Sequence, residues 1–179
     1  MLYRTVCVFA ITLIWFITVC QTASFSEIIM KQNNEVTVNK VDVKLTIKVE
    51  TNSVIATLLF VNNSNDTVYI DKINGCLSGS IKNNVFRISC DGTELPYTGK
   101  YYKRRAPGPN DIVKLLPAQS ISTSVILNEA YGFLPGRHTY TVTYDAFHQV
   151  LLAGSPGLLE LKSNKVTFNY KLKDVKSDR

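Results

Sequence analysis

The chain has 179 residues, 45% of them hydrophobic, and a formal net charge of +6. That length suits one domain. The positive excess is modest and dispersed outside one central cluster, so composition does not point to a nucleic-acid partner.

The first stretch reads as an address rather than as structure. Arg4 precedes an almost wholly apolar run from Val6 to Val19, and small or polar residues follow at Cys20-Gln-Thr-Ala-Ser24. These are the three regions of a secretory signal peptide, assigned to residues 1–23. Fourteen residues from Val6 to Val19 fall short of the roughly 20 that span a bilayer, so no stable membrane span is expected after cleavage. An uncleaved anchor and a lipidated Cys20 are the alternatives. Removing residues 1–23 takes away one arginine and no acid, which leaves 19 basic and 14 acidic residues.

Residues 24–35 show no clear period and are read as a leader. Residues 36–172 are read as a β-sandwich domain, and 173–179 as a charged tail. Val41, Val43, Leu45, Ile47 and Val49 alternate with polar residues, which predicts a strand with one wet face. Val54–Val61 is a continuous apolar run rich in β-branched residues, suited to a central strand. Further strands are predicted over Thr67–Ile73, Asn84–Cys90 and Ile121–Leu127, with a short one ending at Leu116. Asp91-Gly92 is a hairpin signal. Arg137–Phe147 is the longest alternating run, with Tyr140, Val142 and Tyr144 on one face. Leu158–Leu161 and Val166–Leu172 complete the series. No long helical period occurs. The pattern predicts an all-β fold, a single antiparallel immunoglobulin-like sandwich of about seven to nine strands.

Cys76 and Cys90 are the two cysteines beyond the signal. An even pair in an oxidising compartment predicts a Cys76–Cys90 disulfide, with stabilisation of about 3 kcal/mol in the chain-entropy model. Asn62-Asn-Ser64 and Asn65-Asp-Thr67 both fit the N-glycosylation sequon. No metal and no cofactor are expected: His138 and His148 are ten residues apart, about 33 Å along a straight strand. His138 reads as a strand residue and His148 as lying just past that strand's end. No His-Glu-x-x-His, Gly-x-Ser-x-Gly or phosphate-cradling glycine loop is present, and no catalytic residues are assigned.

The most unusual local composition is Tyr97-Thr-Gly-Lys-Tyr-Tyr-Lys-Arg-Arg-Ala-Pro-Gly-Pro109. It joins Tyr97, Tyr101 and Tyr102 to Lys100, Lys103, Arg104 and Arg105. A solvated loop, a processing site at Lys103-Arg-Arg105 and an interaction surface are the three readings. For the last, aromatic and arginine anchors on a proline-stiffened loop bind at low ordering cost.

Tyr97-x-Gly99, Tyr102-Lys-Arg104, Ala106-Pro107, Asp111, Leu116-Pro117 and Ser120 follow one another in this order. Leu127, Tyr131, Gly136 and Tyr140-Thr-Val-Thr-Tyr144 come after them. The order resembles the N-terminal β-sandwich domain of deuterolysin-type (aspzincin) metallopeptidases, which include the peptidyl-Lys metalloendopeptidases, from about Val36 to Val150. In that family the domain precedes a zinc peptidase domain and serves some members as a propeptide. The peptidase motifs do not occur in this chain, so catalysis is not carried over. The turn Leu116-Pro-Ala-Gln-Ser120 also lacks the glycine expected after its proline. The resemblance implies a propeptide-like domain that binds another secreted protein, a zinc metallopeptidase, and inhibits or regulates it. It places Lys100 or Lys103, deprotonated by desolvation, at a catalytic zinc. A secreted structural or effector module (matrix, venom or host-interaction protein) is the alternative, and a carbohydrate-binding role would need the three tyrosines to form a flat platform. Oligomeric state is left open.

Overall fold

Alternation along the chain produces ten strands in the computed structural model, which describes residues 40–103, 108–152 and 155–172. The stretches read as signal (1–23), leader (24–35) and tail (173–179), and Arg104–Pro107, lie outside the described residues. The strands are β1 Val41–Val49, β2 Val54–Asn62, β3 Val68–Asp71, β4 Phe86–Cys90 and β5 Thr93–Glu94. They continue with β6 Ile112–Leu115, β7 Ser120–Ile126, β8 Gly136–Leu152, β9 Ser155–Lys162 and β10 Val166–Leu172. No α-helix occurs among the described residues; two 3-10 turns cover Pro109–Asp111 and Leu127–Glu129. No helix there is long and apolar enough to cross a membrane.

All strand pairs are antiparallel. One sheet has the order β1-β2-β7, and β2 is central in it, as its apolar run predicts. A second runs β10-β8-β4-β5, with β9 continuing along the far half of β8. β3 and β6 form a separate pair. β5 is the strand not expected from the alternation. It is the two-residue return arm of a hairpin in which Asp91 (φ 50°) and Gly92 (φ 82°) are both left-handed, as a type I′ turn requires.

The core lies between the two larger sheets. Phe60 of β2 meets Tyr144 of β8 edge-on at 5.7 Å, and Phe86 of β4 meets the same ring at 5.6 Å. Asn164 clips the edge of β1 to the β9–β10 turn: it accepts from Leu45 N at 2.8 Å and donates to Leu45 O at 3.1 Å. β8 is longer than its sequence pattern suggests and contains His148, which is fully buried rather than near a loop. The Nε2 of His148 lies 2.6 Å from the Tyr144 hydroxyl, and that hydroxyl donates to Asn74 O at 2.9 Å. A hydroxyl has one hydrogen, so His148 Nε2 is the donor in its bond to Tyr144.

The expected disulfide is corrected: Cys76 and Cys90 are both free, buried thiols. Cys76 lies close enough to Tyr144 and Tyr131 to act on both phenols electrostatically. Cys90 pairs with Tyr140, while Tyr144 pairs with Phe86 at the other end of β4. Cys76 follows β3, which pairs with β6, so the two cysteines lie on elements that are not ladder neighbours.

The two sequons differ. Asn62 is fully buried, and its side chain is spent on four bonds. Nδ2 donates to Asp66 O and Leu115 O, and Oδ1 accepts from Ser64 N and Ser64 Oγ. No hydrogen of Nδ2 is left for a glycan, whereas Asn65 is exposed. The backbone of Asn62 also anchors the Leu116–Ser120 turn, through Asn62 N to Gln119 O and Ala118 N to Asn62 O, both 3.0 Å. Ala118 adopts φ 60° in that turn. An L-residue there is strained by roughly 1–2 kcal/mol.

Three outcomes follow from these placements. In denaturant without reductant, iodoacetamide labels both Cys76 and Cys90, as mass spectrometry will read; a bridged pair would stay unlabelled. Burial raises the Cys76 thiol from 9.0 to about 12. Its neutral form therefore favours the fold fully below pH 9.0, and that stability is lost as pH rises towards about 12. The melting temperature falls over this range, and Cys76→Ala makes the fall shallower. Ala118→Gly stabilises by about 0.5–1 kcal/mol in urea unfolding, because glycine occupies the left-handed region without its Cβ penalty.

Candidate functional site

The stretch singled out by composition leaves the core at Tyr97 and returns to it at Asp111. Its base is tied down by backbone. Tyr97 bridges Tyr131, Thr98 N and Gly99 N both donate to Ala130 O (2.9 and 3.2 Å), and Gly132 N donates to Pro96 O at 3.1 Å. The returning end is held by Lys72 N to Asp111 O at 2.9 Å and by Asp111 Oδ2, which accepts from Gly108 N at 2.8 Å. Pro109 opens a 3-10 turn there, where its fixed φ fits and its missing N–H costs nothing.

Side chains extend this anchoring. The Tyr97 ring contacts Tyr131 edge-on at 5.3 Å, and its hydroxyl donates to Lys100 O at 3.1 Å. Tyr131 is itself buried, accepting from Phe86 N at 2.9 Å and donating to Asn84 Oδ1 at 3.0 Å. Burial pushes its phenol well up from the ordinary value. Gly99 explains the Tyr97-x-Gly99 motif, since a Cβ at 99 would lie 2.6 Å from Tyr97 Cζ and Oη. Only a glycine lets the ring fold back over its own loop.

Beyond this base the loop is exposed. Tyr101 is 69% and Tyr102 53% accessible, and Lys100 and Lys103 are exposed beside them. Arg104 and Arg105 lie outside the described residues. Tyr97 and Tyr101 meet at 4.9 Å with planes 65° apart, so the three tyrosines do not form the flat platform that a sugar ring needs. A groove of about 390 Å³ runs alongside, lined by Ser80, Ile81, Thr98, Lys100, Tyr102 and Glu129 with Ile126 and Ala130. The sequence could not reveal this groove: it joins three segments remote in the chain.

Of the other predicted residues, Cys76 follows β3, and Cys90 ends β4 seven positions before Tyr97. Asn62 ends β2, and Asn65 lies on the adjacent turn. His138 and His148 both lie on β8.

No protein-family model matches the chain, and no curated protein matches it.

Gly99→Ala tests the loop base. The substitution displaces the Tyr97 ring from Tyr131, so proteolysis between residues 97 and 105 accelerates while the melting temperature drops by only a few degrees. An unchanged cleavage rate would mean that the ring does not hold the loop.

Proposed function

We propose that this chain is a secreted, non-enzymatic immunoglobulin-like β-sandwich that works by binding another protein through the loop beginning at Tyr97. The expected partner is a zinc metallopeptidase, which the domain inhibits or regulates in the manner of a propeptide. One observation carries the reading. Two exposed tyrosines and two exposed lysines are presented on a base fixed to the core, next to a groove of about 390 Å³. Aromatic anchors with few rotatable bonds supply contact area at low entropic cost, and a fixed base lowers the cost of ordering the loop on binding.

The resemblance of the motifs from Tyr97 to Tyr144 to a peptidase propeptide domain supports the choice of partner. The N-terminal pattern of charge, apolar run and small residues supports secretion. Lys100 and Lys103 have the amines that would reach a partner's zinc from this loop. Three parts of the molecule therefore take different roles. The sheets hold the base, the tyrosines bury against the partner, and the cations steer and orient it.

The test uses the chain without residues 1–23 and deuterolysin-type peptidases assayed on a peptide substrate. Reversible inhibition is expected. Tyr101→Ala with Tyr102→Ala weakens it by about 2 kcal/mol, roughly 30-fold, and so does joint replacement of Lys100, Lys103, Arg104 and Arg105 by alanine. If no such peptidase is bound, and a pull-down from the native secretion returns a structural polymer or a receptor, the proposal fails.

A further inference from the structure

At the C-terminal end of β4, the hairpin turn and the start of β8 bring three different donor types together. Cys90 Sγ, a carboxylate oxygen of Asp91 and a ring nitrogen of His138 all lie within 4.8 Å of one another. We propose that Cys90, Asp91 and His138 bind a single divalent cation of the zinc class. The site shares no residue with the Tyr97 loop and does not depend on how that loop is read.

Geometry supports each donor. Cys90 is held from both sides by strand pairing, to Thr93 and to Tyr140. Asp91 occupies the first left-handed position of the two-residue turn, which turns its carboxylate back to 3.5 Å from Cys90 Sγ. His138 lies two residues before Tyr140 on β8, alongside the turn. Its Nε2 is 2.7 Å from Pro135 O. A carbonyl only accepts, so Nε2 carries the proton and Nδ1 carries the lone pair. Metal-binding histidines commonly have this arrangement, with one nitrogen on the ion and the other donating to a backbone carbonyl that orients the ring. Gly136, at φ 88°, makes the bend between that carbonyl and the ring.

The donor set selects the ion. Thiolate, imidazole and carboxylate together suit a borderline cation such as Zn²⁺, not the all-oxygen shells of Mg²⁺ or Ca²⁺. Tetrahedral zinc ligands lie roughly 3.4–3.6 Å apart. Cys90 Sγ and Asp91 Oδ2 already stand 3.5 Å apart, and the 4.8 Å bound leaves the His138 nitrogen to close by about 1 Å. Three protein donors leave the fourth position to water or an external ligand. Asp91 is exposed and His138 half-buried, which gives the ion a route in from solvent, while Cys90 is 3% accessible and forms the floor. Binding replaces the Sγ proton by the metal, and that proton is released to solvent.

Co²⁺ is the probe, added to chelator-treated protein and followed by absorption. The expected result is a thiolate-to-cobalt charge-transfer band that saturates at one ion per chain and is displaced by Zn²⁺. Cys90→Ser abolishes the band, and Cys76→Ser keeps it. His138→Gln and Asp91→Asn each weaken binding by about 10-fold or more. Asparagine also tolerates the left-handed region, so Asp91→Asn keeps the hairpin, which an unchanged metal-free melting temperature will show. The inference is overturned by the absence of a charge-transfer band, by a band that survives in Cys90→Ser, or by Asp91→Asn and His138→Gln binding as tightly as the parent.

Discussion

The inward phase of β8 is the constraint on which the rest of the fold depends. Tyr140, Val142, Tyr144, Ala146 and His148 are all buried on one face of this strand. Its neighbours β10, β4 and β9 pair with it over successive segments. A slip of one residue would turn that whole set to solvent, so the register of three other strands is settled with it. Three of the five carry polar atoms into the core, and each such atom needs a partner. Tyr144 finds one in Asn74 O, which places the turn after β3 against β8. His148 donates to Tyr144, and the Tyr140 hydroxyl accepts from Leu134 N at 3.2 Å. The loops that cap this end of the core are thus positioned by the hydrogen-bonding needs of strand residues.

The same logic runs outward to the loop. Tyr131 satisfies the backbone of Phe86 with its hydroxyl and offers its ring to Tyr97. Tyr97 folds over Gly99 and ties itself to Lys100 O. Each contact is modest by itself. Together they make a chain from a buried strand to Tyr101 and Tyr102, and the exposed tip inherits order from the core. A solvated lysine loop would need none of these aromatic links.

At the far end of β4 the hairpin does for chemistry what the tyrosines do for recognition. A two-residue turn with both residues left-handed holds Asp91 against Cys90. The ladder to β8 then brings the strand's first histidine alongside. The thiol that composition assigned to a disulfide is free and lies instead in a mixed cluster of donors.

Much of the secondary structure was legible from period and turn chemistry. The alternation of β1, the apolar run of β2 and the Asp91-Gly92 turn are local signals, and each forms what its local physics favours. The loop from Tyr97 was legible as unusual through its composition alone. What local signals could not carry was any property shared by residues distant in the chain. Cys76 and Cys90 count as a pair in sequence, yet one lies on the turn after β3 and the other ends β4, and both are free. Asn62 and Asn65 fit the same motif, yet one is buried among four hydrogen bonds and the other is exposed. Cys90 and His138 are 48 positions apart and become neighbours only through the β4–β8 ladder. Sequence by itself determined where strands begin, turn and end, because backbone preference and side-chain alternation act between near neighbours. Tertiary structure alone decided which side chains meet, because register and sheet packing depend on the whole chain burying its apolar faces at once.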